Sequence, residues 1–122
     1  MWVTEASEQL KTALEAADRK DWAEAARLLL PLAEAGDPTA RCSLALMYSV
    51  GWGVPVDGQR AAELYLDVAE RGLEEGHLSA LAYHNLSTLY ISGAPGVERD
   101  LDKAGHYERL ARAAGLNLGA GR

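Results

Sequence analysis

The sequence predicts an all-α fold, an alpha-alpha superhelix of about three antiparallel helix pairs, six helices in total. Three observations carry this. Apolar residues recur at helical spacing in six stretches, each bounded by a capping residue or a glycine. Two glycine-rich corners, Gly51-Trp52-Gly53-Val54-Pro55-Val56-Asp57 and residues 92–99, turn the chain back on itself. The pattern around the first corner then returns around the second, so the chain is a repeat.

Thr4 is expected to cap the first helix, with Glu5 and Glu8 in its first turn. Ala6, Leu10, Ala13, Leu14 and Ala17 form its apolar stripe, and the charged run Asp18-Arg19-Lys20 interrupts it. Asp21 caps the second helix, and Glu24 stands three residues on, as in a capping box. Trp22, Ala25, Leu28, Leu29 and Leu32 face its core, while Pro31 removes a backbone donor and predicts a local kink. Gly36 stops it at C′.

Asp37 or Thr39 caps the third helix, with Pro38 in its first turn, and the helix runs to about Val50. Asp57 caps the fourth, which shows Ala61, Leu64, Tyr65 and Val68 on one face and ends near Gly72. Residues 73–77 are extra relative to the junction at Gly36 and could extend either flanking helix. The fifth helix runs from about Leu78 to Ile91 on Ala82, Leu86, Leu89 and Tyr90. Asp100 caps the sixth, which is expected to stop at Gly115 and leave 116–122 as a short tail.

Ala40, Leu44, Met47 and Tyr48 correspond to Ala82, Leu86, Leu89 and Tyr90 at an offset of 42. Beyond the corner the offset is 43, relating Asp57, Arg60, Ala61, Val68 and Gly72 to Asp100, Lys103, Ala104, Ala111 and Gly115. Ala33-Glu34-Ala35-Gly36 aligns with Ala69-Glu70-Arg71-Gly72 at 36. Alanine at 40, 61, 82 and 104 lets helix backbones approach closely, and Leu44 and Leu86 fill the space between them. Tyr48 and Tyr90 add flat area with a polar tip. One such pair cannot bury its apolar face alone, so neighbouring pairs must stack.

The run from Tyr48 to Asp57, followed by Arg60-Ala61-Ala62, Tyr65 and Ala69-Glu70-Arg71-Gly72, resembles the Sel-one-like repeat family, relatives of the tetratricopeptide repeats. The second copy, from Tyr90 to Asp100 with Lys103-Ala104, is similar with one inserted residue. Asp21-Trp22-Ala23-Glu24-Ala25 is closer to a tetratricopeptide unit. The resemblance covers roughly 21–115. It implies one helical-repeat domain divided into a tetratricopeptide-like pair at 4–36, Sel-one-like repeats at 37–76 and 77–115, and a tail at 116–122. The family's usual glycine after the leucine of the first helix is Ala45 in one copy and Ser87 in the other. A branch of the family bridges its helices with disulfides; the lone Cys42 excludes that branch.

Composition narrows the function. The net charge is −6 and no basic stripe is present, so a nucleic-acid partner is not expected. The charges from Arg99 onward alternate in sign, as on a solvated helix face. No secretory signal or membrane-length apolar run occurs, so the chain is expected to be cytoplasmic, with no membrane partner.

His77 and His84 are seven residues apart, about 10 Å along one helix. No HExxH or paired cysteine accompanies them, so no metal site and no cofactor is expected. Gly51-Trp52-Gly53 follows a helix rather than a strand and reads as a turn, not a phosphate loop. Cys42, in an apolar run, reads as a buried inert thiol. Glu63 with Asp67, and Glu70 with Glu74, read as solvated outer-face pairs. No enzyme is expected.

The resulting expectation is a protein-protein interaction module that binds a protein or peptide in the concave groove of a short repeat. Neutralisation of a toxin or effector by direct binding is the alternative. The groove is expected on the third and fifth helices, from Cys42, Leu46, Ser49, His84, Thr88 and Ile91. Arg41 and Tyr83 stand at its rim, and Trp52 on the corner is either a contact or a lid. The tail LNLGAGR offers little polar capping, which leaves a homodimer through a terminal helix pair open.

Overall fold

The computed structural model describes residues 5–71 and 76–119, with side chains described for 5–71 and 78–115. Six α-helices follow in order: α1 (Glu5–Asp18), α2 (Trp22–Glu34), α3 (Pro38–Val50), α4 (Gly58–Arg71), α5 (Gly76–Ser92) and α6 (Leu101–Gly119). They pack as three hairpins, α1 with α2, α3 with α4 and α5 with α6. Each hairpin stacks on the next through α2 against α3 and α4 against α5. Among the described residues there is no strand, only an isolated bridge between Ala94 and Val97 inside the second corner. The protein is an all-α superhelix.

Local chemistry explains the helix ends. The expected cap Thr4 lies outside the described residues. Asp21 accepts from the Glu24 backbone N–H at a long 3.4 Å. The Glu24 side chain does not reach back to close a capping box; it grips Arg27 at 2.6 and 2.8 Å instead, and that pairing lowers its pKa. Asp37, rather than Thr39, caps α3 through the Ala40 N–H at 2.9 Å. α2 continues through Pro31 and ends in a paired motif, Gly36 N–H to Ala33 O and Asp37 N–H to Leu32 O, both 3.0 Å. α1 ends in the same way on Ala17 and Ala16 at 2.9 Å, but with Lys20 in the left-handed position at φ 63°. A stop made by a lysine in that conformation explains why 18–20 breaks the apolar stripe.

At the C-terminal hairpin one open point is resolved and one expectation fails. α5 starts at Gly76, so the inserted segment extends α5 at least from that residue; residues 72–75 lie outside the description. α6 does not stop at Gly115 but continues to Gly119. Gly115 has no positive φ, and without a left-handed residue a glycine costs only about 1 kcal/mol and does not end a helix.

The core lies between the layers. Leu29 and Leu32 of α2 meet Leu44 and Met47 of α3, with Ala13, Ala16, Ala25 and Ala40 set among them. In α1 it is Ala16 that is buried, whereas Ala6 is exposed. A second group joins Tyr65, Val68 and Ala69 of α4 to Ala82 and Leu86 of α5. The four repeat alanines 40, 61, 82 and 104 are all buried, as close backbone approach requires. Ser87, where the resembling family has glycine, is buried and donates to the Ala104 carbonyl of α6 at 2.8 Å. Its polar atom is therefore satisfied at no cost in burial.

Candidate protein-binding face

The corners position this face, and both are built from the same parts. The Asp57 N–H donates to Tyr48 O at 2.8 Å, and the Asp100 N–H to Tyr90 O at 2.9 Å. Each aspartate then caps the following helix, accepting from the N–H of Arg60 at 3.1 Å or of Lys103 at 3.0 Å. That cation in turn lies over the starting tyrosine, 5.4 Å for Arg60 on Tyr48 and 5.3 Å for Lys103 on Tyr90. Tyrosine, aspartate and cation thus close a loop, which is the physical content of the repeated spacing.

Each corner also docks on the first turn of the preceding hairpin's second helix. In the first, Trp52 stacks on Trp22 at 4.5 Å, so it covers the neighbouring hairpin while staying 40% exposed. A Cβ on Gly53 would stand 2.3 Å from the Trp22 carbonyl oxygen. In the second, the Gly58 N–H of α4 donates to Pro95 O at 2.8 Å.

Between these docked corners, α3 and α5 run side by side and share an open face. The only fully charged residue of α3 is Arg41, and α5 has none, only His77 and His84. Yet Leu46, Val50, Leu81 and Ile91 are each about half exposed, at 45, 48, 47 and 51%. The hydroxyls on this face are already engaged by their own helices. Ser49 donates to Leu46 O at 2.7 Å, Thr88 to His84 O at 3.2 Å and Ser92 to Thr88 O at 3.2 Å. Covering such hydroxyls strands no donor. A shallow depression of about 210 Å³ lies at the centre, lined by Leu46, Ser49 and Val50 from α3 and by Asn85, Thr88 and Leu89 from α5.

Of the residues expected at a groove, Leu46, Ser49 and Thr88 come together in that depression, and Ile91 is exposed on α5. The others stand elsewhere. Cys42 is half-buried against the Tyr65 group, and desolvation pushes its thiol up to about 11. Arg41 donates from Nε to Ala33 O at 2.8 Å and pairs with Asp67, tying α3 to α2 and α4. Asp67 also binds Arg71 at 2.8 Å, so it is an internal clasp and not a solvated outer-face charge. Tyr83 stacks on Tyr107 at 6.1 Å, and Tyr107 on Tyr90 at 5.8 Å; burial raises the phenols of Tyr83 and Tyr107. His84 turns to α6, its Nδ1 3.2 Å from Glu108 Oε1, and not toward α3.

Val50 and Asn85 escaped the sequence reading. Stepping four residues on from Leu46 and three back from Thr88 would have found them, and so would the missing charge on two whole helices. A second, larger cleft of about 460 Å³ lies between α4 and α6 over the second corner, floored by Leu66, Leu86 and Tyr90. Among the described residues, no group of three metal-ligating side chains occurs, and no helix is long and apolar enough to cross a membrane.

These hairpins, corners and stacked layers define a helical-repeat protein. Its fold is of the Sel1-like repeat (SLR) type, as two solved structures show. A Sel1 repeat protein from Oxalobacter formigenes aligns with a TM-score of 0.69 and 26% identity, covering 86% of this chain and 39% of its own. A protective antigen present in uropathogenic Escherichia coli strains, which displays an SLR fold, aligns at 0.54 and 21%, covering 95% of this chain and 33% of its own. The chain therefore spans between a third and two fifths of the length of these structures. No family model matches the chain, and no curated protein does either.

Proposed function

We propose that the chain is a protein-interaction module that holds an apolar segment of another protein against the face shared by α3 and α5. The observation that carries this reading is the distribution of exposed apolar surface. Four of the seven large apolar side chains exposed among the described residues are on α3 and α5, and none is on α1, α2 or α4. In a chain with 25% charged residues, two nearly uncharged helices showing leucine, valine and isoleucine to water mark a surface meant to be covered.

The partner segment is of matching character, with apolar anchors spaced to meet Leu46, Val50 and Ile91 and few charges at its centre. The helical-repeat fold of its structural neighbours supports the same reading. The test is a comparative pull-down with wild type and a Leu46→Glu/Ile91→Glu variant, helicity being checked by far-UV circular dichroism. Both side chains are about half exposed, so the variant is expected to stay folded and to lose the partner. An unchanged set of captured proteins overturns the assignment.

A further inference from the structure

We propose that the third hairpin carries a polar, charged outer face, made by Glu108 and Arg112 with His84 beside them, that keeps a second copy of this chain from packing there. The inference comes from the repeat itself. The second hairpin receives the third through four places, three against α5 and one against the corner, whose equivalents on the third hairpin can be compared one by one.

Tyr65, 2% exposed at the centre of the α4–α5 interface, corresponds to Glu108. Ala69, fully buried in the same group, corresponds to Arg112. Cys42, half-buried against that group, corresponds to His84. Gly58, on which the next corner docks, corresponds to Leu101, which is 57% exposed.

The replacements are organised. Glu108 stands at the centre, with His84 Nδ1 at 3.2 Å on one side and Arg112 Nε at 3.6 Å on the other. Side-chain exposures of 59% for His84, 36% for Glu108 and 75% for Arg112 keep all three hydrated. Packing a further apolar hairpin over them would strip water from charged groups whose partners are already taken. Leu101 adds a steric bar. At the equivalent Gly58, even a Cβ would stand 2.6 Å from the docked Pro95 oxygen, so only a corner that brings its own glycine, as Gly53 does, could seat there. Charged outer faces of this sort are how stacked repeats avoid open-ended association.

Sedimentation velocity over a wide concentration range tests the proposal, comparing wild type with a Glu108→Tyr/Arg112→Ala variant that restores the residue types of the second hairpin. The variant is expected to self-associate about tenfold more tightly or better, the effect of one buried aromatic contact. If it loses helicity, Glu108→Leu/Arg112→Ala removes both charges without lengthening either side chain and is likewise expected to self-associate more tightly than wild type. A folded variant that sediments like wild type at every concentration overturns the proposal. So does a wild-type dimer that a Glu108→Lys substitution dissociates.

Discussion

Gly58→Ala separates local preference from tertiary packing, because the two predict opposite signs. Gly58 is the first residue of α4, and alanine in a helix is favoured over glycine by up to about 1 kcal/mol. Its φ is not positive, so the backbone accepts alanine without strain. The structure opposes this gain. The added Cβ would lie 2.6 Å from the Pro95 carbonyl oxygen, 2.7 Å from Ala94 Cβ and 3.2 Å from Val97 Cγ2. Two of the three are backbone or a short side chain, so the corner itself must withdraw.

Withdrawal lengthens the Gly58 N–H to Pro95 O bond, now 2.8 Å, and loosens Val97, which is 8% exposed in a small core with Ala61 and Leu89. Overpacking of this kind costs about 1–3 kcal/mol, and the lost hydrogen bond accounts for about 1 of it. For a chain of this size that lowers Tm by about 3–15 °C. Thermal unfolding followed at 222 nm measures it. A Tm equal to or above that of wild type would refute the docking of the second corner on α4.

Arg41→Met keeps the stem and removes the clasp among α2, α3 and α4; it is expected to cost about 1–2 kcal/mol by urea denaturation, the lower end because Arg71 still neutralises Asp67. Lys20→Gly removes a left-handed lysine at φ 63° and is expected to stabilise the chain by about 0.5–1 kcal/mol in the same assay. Gly53→Ala meets both a positive φ and the Trp22 carbonyl; loss of the near-UV dichroism of the Trp22–Trp52 stack, with a fall of about 2 kcal/mol in stability, checks it. Cys42 has its thiol raised from 9.0 to about 11, so at pH 8 the folded chain holds about one hundredth of the thiolate of an ordinary cysteine. Alkylation should be correspondingly slow, rising with pH toward 11, and unfolding should release it. The folded state binds that proton more tightly, so this group opposes folding only as pH climbs from 9 through 11.

Much of the candidate face was legible because its rules are local. Leu46, Ser49, Thr88 and Ile91 follow from helical spacing once α3 and α5 are recognised as the first helices of their hairpins. The side chains that went elsewhere were claimed by partners far away in sequence. His84 went to Glu108, Tyr83 to Tyr107 and Arg41 to Asp67. Nothing in the spacing around residue 84 announces a carboxylate 24 positions later. Asp67 was misread for the same reason, since only the approach of α3 to α4 turns a surface acid into a half-buried clasp.

The aspartates at 21, 37, 57 and 100, the glycine corners and the doubled pattern are properties of a few adjacent residues, so the six helices and their pairing could be written down before any coordinates. Which glycines are indispensable could not. Gly115, read as a stop, sits inside α6, whereas Gly58, with no positive φ, is held by a carbonyl arriving from the next hairpin. Backbone conformation is chosen over three or four residues; clearance, charge pairing and exposure are set where hairpins separated by dozens of residues meet.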